Sequence, residues 1–198
     1  MIINSHLVFS RIIYRHCVKK LNFKLNKRKF MYGNVKPDFE CNASNQHHTM
    51  EETIEDVKNY CHRLLNDNLS KEEFSITLGM VCHFICDYFC LYHREEYKDK
   101  SFVSHLLYEI FLHINLRFML ILGSLNIFGQ DELYIHNPIT SLMELQDSYL
   151  SSKNSVKKDI KYAILASKLI SCSIIAFSIN TEKEDFTDKL LISREFLV

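Results

Sequence analysis

The stretch "CHFICDYFCLYH", residues 82–93, decides the fold. Apolar and aromatic residues fill most of it, which is the composition of a buried helix. Yet it carries His83, Asp87 and His93. An ionised carboxylate in apolar surroundings is costly unless it is paired or bound to a cation. His83 and Asp87 are four apart, so on a helix they share one face. What sits opposite Asp87 then becomes the question that links fold to function.

The flanking sequence extends the helical reading. "LSKEEF" places Ser70 as an N-cap with Glu73 three residues later, a capping box that predicts a helix from 71 to about 92. "SFVSHLLYEIFLHINLRFMLIL" (101–122) predicts a second long helix, and His105 and Glu109 repeat the four-residue spacing on it. Two antiparallel helices, each with a His-x-x-x-carboxylate pair, can bring four ligands into a bundle core. Further helices are expected near 4–20, 50–66, 139–151 and 155–179, with a turn at "YGNVKPDF" (32–39). There Gly33 and Asn34 tolerate unusual φ, and Pro37 disfavours helical geometry at Lys36. Residues 123–137 read as a loop.

Composition supports one all-α domain over 1–198. The chain has 198 residues, 47% hydrophobic and 24% charged, with only four glycines and two prolines. Net charge is zero but unevenly placed: residues 1–37 hold nine Lys or Arg and no acid. That basic run reads first as a solvated face, and it also suits anionic lipid or phosphate. The seven cysteines are read as small buried hydrophobes of a reducing compartment, including the i, i+4 ladder Cys82, Cys86 and Cys90. No signal peptide is read in the first residues, so a cytoplasmic location is expected. The run "YAILASKLISCSIIAFSI" (162–179) is interrupted by Lys168 and serines, which favours a core helix over a membrane span.

The ordered set is His6, "GNVKPD", "HHT", "LGMVCHFICD", "LYH" and "HLLYE". It resembles the bacterial zinc-dependent phospholipase C family, the alpha-toxin and lecithinase type, whose superfamily includes the single-strand-specific zinc nucleases. The resemblance spans about residues 1–115 by motif, and the remaining helices only by class. It implies an all-α catalytic domain that binds up to three zinc ions. By that resemblance Asp38, His48, His83 and Asp87 hold one ion, and His93, His105 and Glu109 a second. His6 holds a third, with Asp87 bridging to the first. His48 is preferred over His47, which remains the alternative. The implied activity is hydrolysis of a phospholipid or related phosphodiester by a metal-activated hydroxide, with Asp38 orienting or deprotonating the water.

Two departures stand out. Secreted members bind the third zinc through a mature N-terminal Trp, and this chain has no Trp. Met1 lies five residues before His6, so its amine is the candidate donor. No C-terminal lipid-binding sandwich follows the helical domain, which makes strong membrane attack doubtful and leaves a possible peripheral membrane contact. Tyr32, Tyr88, Phe89 and Tyr92 are candidates for a head-group pocket. A nuclease is the first rival, because the basic N-terminal region suits nucleic acid, although Glu109 stands where nucleases usually carry Asp. A non-catalytic zinc-binding domain is the second. An HD-type phosphohydrolase is disfavoured, since the sequence has no adjacent His-Asp pair. Oligomeric state is left open.

Overall fold

A computed structural model describes residues 1–40, 49–125 and 137–195, with side chains described as far as 179. Those residues form eight α-helices and no strand, in agreement with the all-α expectation. In chain order they are α1 (Ile3–Leu21), α2 (Lys27–Gly33), α3 (Lys36–Glu40), α4 (Met50–Asn66), α5 (Lys71–Tyr88), α6 (Phe102–Ile121), α7 (Pro138–Ser151) and α8 (Val156–Glu195). Two 3₁₀ turns, Leu91–His93 and Glu95–Tyr97, join α5 to α6.

Local chemistry sets most of these ends. The capping box forms as expected: the Ser70 amide donates to Glu73 Oε2 (3.0 Å) and the Glu73 amide donates to Ser70 Oγ (3.2 Å). Thr49 caps α4 through the Glu52 amide (3.3 Å). Asn137 caps α7, whose first turn holds Pro138, where a missing N–H costs nothing.

Helix α5 is the axis of the fold. Every residue from Thr77 to Tyr88 is buried, because α2, α4, α8 and α1 all pack around it. The apolar run in α8 is core, as its serines suggested. Although Val156–Ile179 is long and apolar enough to cross a membrane, most of it is buried against α1, α4, α5, α6 and α7. The contact with α5 is a ladder of small side chains: Cys82 Sγ lies 3.0 Å from Ser171 Oγ and Cys86 Sγ 3.4 Å from Ser167 Oγ.

Three expectations are corrected. Helix α5 stops at Tyr88, not near 92; Cys90 is extended (φ −117°, ψ 124°), and the chain turns through Leu91–His93. The expected turn at 32–39 is confined to the junction between two short helices. Pro37 falls in the first turn of α3, which tolerates proline, so Lys36 opens a helix. Finally, α5 and α6 are not a tightly packed antiparallel pair. Helix α6 leans mainly on α8 and more lightly on α1. The His/acid pairs of α5 and α6 meet because the N-terminus and the Leu91–His93 turn lie between them.

Candidate metal centre

Asp87 lies at the last turn of α5, with no exposed surface. Its Oδ1 is 2.5 Å from the Met1 amino nitrogen and 3.3 Å from His6 Nε2. Its Oδ2 is 3.3 Å from His83 Nε2. On the far side of the Met1 nitrogen lie His93 Nε2 (2.9 Å) and Glu109 Oε1 (3.2 Å). Glu109 Oε1 is also 2.8 Å from both His93 Nε2 and His105 Nε2, and those two imidazole nitrogens are 3.3 Å apart. Asp38 enters from α3, with Oδ1 3.8 Å from His83 Nε2. The structure therefore gathers Met1, His6, Asp38, His83, Asp87, His93, His105 and Glu109 into one connected cluster. His48 and its alternative His47 lie outside the described residues.

Each side chain is delivered by a different piece of sequence. The i, i+4 spacing stacks His83 over Asp87 on α5, and His105 over Glu109 on α6. His93 arrives from the turn after α5. His6 comes from the first turns of α1, its ring stacked on that of His83 with centroids 4.0 Å apart. His83 Nδ1–H donates to the Asn34 carbonyl (2.9 Å), which fixes the tautomer and turns Nε2 toward Asp38 and Asp87.

The electrostatics are those of a centre prepared for cations. Burial alone pushes the Asp87 carboxyl up, but the facing charges of His93, the Met1 amine, His6 and His83 outweigh it and hold it well below the usual carboxylate range. Glu109 is likewise driven down: burial opposes, but the Met1 amine and the hydrogen bonds from His105 and His93 prevail. Burial lowers the Met1 amine, yet Asp87 and Glu109 raise it to about 12. His93 is depressed to about 4, chiefly by burial, so it is neutral and ready to donate a lone pair at neutral pH. Burial raises Asp38 to about 6.

Several buried polar atoms in the cluster have no hydrogen-bond partner: both ring nitrogens of His6, Asp38 Oδ2, Asp87 Oδ2 and His93 Nδ1. Orphaned lone pairs converging from imidazoles and carboxylates fit zinc, which takes N and O donors in small coordination shells. Two donor groups stand out by proximity: His6, His83 and Asp87, and Cys90, His93 and Glu109. Cys90 was missed at the sequence level. The ladder argument assumed that the helix continued to residue 92, whereas the chain leaves helical geometry at Cys90 and re-aims its side chain.

The aromatic candidates separate. Tyr88 is core and shares a hydrogen bond with Thr53 Oγ1 (2.9 Å), and Phe89 is fully buried among Tyr149 and Tyr162. Tyr92 packs against His105 and Tyr108, and Tyr32 is exposed. Only the last two can face a ligand.

A helical fold that buries acids and imidazoles in donor groups able to hold a metal ion fits a zinc hydrolase. The chain belongs to the zinc-dependent phospholipase C family, whose model matches residues 5–172. No curated protein and no solved structure matches it.

Proposed function

We propose that the protein is a zinc-dependent phosphodiesterase acting on phospholipid at a membrane surface. The observation that carries the reading is the single buried cluster in which Asp87 and Glu109 flank the Met1 nitrogen, with His6, His83, His93 and His105 around them. His6, His83, Asp87 and Asp38 supply donors on one side, and His93, His105 and Glu109 on the other. Zinc, when bound, supplies Lewis acidity toward a phosphoryl oxygen and a lowered pKa for water.

The chain's own residues do the rest. Asp38 is the least enclosed acid of the cluster, and its carboxyl, raised to about 6 by burial, accepts a proton from attacking water at neutral pH. The Asn34 carbonyl holds His83 in one tautomer. Tyr92 packs its ring against His105, with centroids 5.7 Å apart.

Lipid is favoured over nucleic acid by α6. Its inner face bears His105 and Glu109, and its outer face exposes Leu107, Phe111, Ile114, Phe118 and Ile121 as one stripe. A contiguous apolar face of this kind marks an interaction surface. The only exposed charged residue of α6 itself is Arg117. Helix α1, joined to α6 through Ser5 Oγ and His113 Nδ1 (3.1 Å), exposes Arg11 and Arg15 and contains no acid. An apolar face on α6, with exposed arginines on α6 and α1, complements an anionic bilayer. Tyr32, exposed beside α3, is available to a head group.

The zinc-loaded protein, offered phosphatidylcholine vesicles, a soluble aryl phosphodiester and single-stranded DNA, is expected to turn over the first two faster than the third. The reverse order would establish the nuclease, and inertness toward all three the non-catalytic domain.

A further inference from the structure

The five other described cysteines lie in ordinary surroundings. Cys82 and Cys86 face serines of α8, Cys17 and Cys172 face each other at 3.9 Å, and Cys61 lies in the core. Cys90 does not. It is fully buried, and its sulfur lies within 4.8 Å of ligand atoms of both His93 and Glu109, which are themselves within that distance of each other. The geometry arises at the end of α5. The ladder carries Cys82 and Cys86 toward α8; then the helix stops at Tyr88, and the extended backbone at Cys90 sends its side chain to the acid–imidazole cluster instead. His93 Nδ1 is also buried without a hydrogen-bond partner.

We infer that Cys90 donates sulfur to the metal ion held by His93, His105 and Glu109. The inference rests on the metal-centre reading and goes beyond it. Binding is an exchange without redox change: the Sγ–H proton leaves to solvent and a sulfur–metal bond forms. Donors around a tetrahedral zinc are about 3.5 Å apart, and the donor atoms of Cys90, His93 and Glu109 lie within 4.8 Å of one another. A thiolate biases this site toward zinc and away from magnesium and calcium.

Cobalt(II) substitution tests this without reference to turnover. The wild-type protein loaded with Co²⁺ is expected to show visible d–d bands from the centre and a near-ultraviolet sulfur-to-cobalt charge-transfer band. Cys90→Ser should abolish the charge-transfer band and keep the d–d bands, whereas Cys86→Ser should keep both. Absence of d–d bands in wild type would overturn the metal centre and the inference together. If the d–d bands appear without charge transfer, or if charge transfer survives Cys90→Ser, Cys90 is not a ligand while the centre stands. Because Cys90→Ser is a core substitution, zinc X-ray absorption on the wild-type protein provides a variant-free measurement. A sulfur scatterer at about 2.3 Å is expected, and a shell of only N and O atoms would refute the sulfur donor.

Discussion

Gly33 and Gly79 meet where α2 crosses α5. A Cβ on Gly79 would lie 2.9 Å from the Gly33 Cα and would overlap the Phe30 carbonyl oxygen; a Cβ on Gly33 would overlap the Ile76 carbonyl oxygen. The absence of side chains lets the two backbones touch, and that contact brings the Asn34 carbonyl to within 2.9 Å of His83 Nδ1, one turn beyond Gly79. Gly79→Ala therefore acts on the metal centre through the fold. The obstacle is backbone and cannot rotate away, so destabilisation of about 2–3 kcal/mol is expected, at the upper end for overpacking. Loss of the His83 support should also weaken zinc affinity about 10-fold or more. Denaturant melts and a zinc titration read the two effects; unchanged affinity would show that Asn34 does not position His83.

This contact also shows where sequence reading stops. Gly33 is visible as a glycine in a turn, but its role is close approach to α5 at Ile76 and Gly79, and only the packed structure shows that. The helices were legible because capping residues and apolar runs are local signals: α4 was expected at 50–66 and is Met50–Asn66. The His-x-x-x-acid pairs were legible because i, i+4 geometry follows from the helix alone. Cys90 and the exposed apolar stripe of α6 were not. The first depends on where α5 ends, and the second on which neighbours α6 lacks, since an apolar helix reads the same whether or not something covers it.

The metal-free protein should keep its full stability up to about pH 8 and lose it on strong acidification. His93 falls from 6.5 to about 4 on folding, so its contribution is present above 6.5 and is lost as pH falls toward 4. Asp87 and Glu109 are depressed, so their contributions are likewise lost on further acidification. The Met1 amine rises from 8.0 to about 12, so its contribution is complete below 8.0 and is lost as pH climbs toward 12. Melting temperature against pH after chelation is expected to trace this plateau. Zinc should raise the melting temperature at every pH within it. Asp38, raised from 3.8 to about 6 by burial, acts in the opposite sense: its cost is relieved as pH falls through that range, so it offsets His93 there. A metal-free protein that grows more stable below pH 4 would contradict the cluster's charge arrangement.

Asp87→Asn keeps the shape of the side chain and removes the charge that faces His6, His83 and the Met1 amine together. It should cost several orders of magnitude in phosphodiester turnover and release metal, because both donor groups lean on this carboxylate. His6→Ala should empty mainly the His6–His83–Asp87 group and leave the His93–Glu109 ion in place. His62→Ala, on the exposed side of α4, should remain within a fewfold of wild type. Elemental analysis beside kinetics separates these outcomes; full activity in Asp87→Asn would end the metal mechanism.

Asp159 ties the second half of the centre to α8. It accepts hydrogen bonds from the Tyr108 hydroxyl (2.6 Å), the Tyr149 hydroxyl (3.0 Å) and the Leu91 amide (3.0 Å). Tyr108 precedes Glu109, and Leu91 opens the turn that delivers His93. Asp159→Ala strands three donors in largely buried surroundings, so a loss of about 3–5 kcal/mol is expected. The chelated and zinc-loaded forms should both lose stability, and zinc affinity should fall in addition. If stability drops while zinc affinity is untouched, Asp159 supports the core but does not position the ligands.

The outer stripe of α6 yields the test that separates substrate binding from chemistry. Phe111 is 55% exposed and lies across the helix from Glu109, so Phe111→Asp leaves the cluster untouched. The charge opposes an anionic bilayer and interrupts the apolar surface. Co-sedimentation with phosphatidylserine-containing vesicles should fall at least about 10-fold, since an aromatic side chain contributes about 1.5 kcal/mol or more on burial. Hydrolysis of the soluble aryl phosphodiester should be unchanged, because the metal donors sit on the opposite face of α6. Arg117→Glu should weaken vesicle binding in a salt-dependent way and leave neutral vesicles almost unaffected. Sedimentation velocity supplies the alternative: a wild-type dimer dissociated by Phe111→Asp, with vesicle binding intact, would reassign this face to a second copy of the chain. Equal loss of vesicle and soluble-substrate activity would instead trace the effect to the fold.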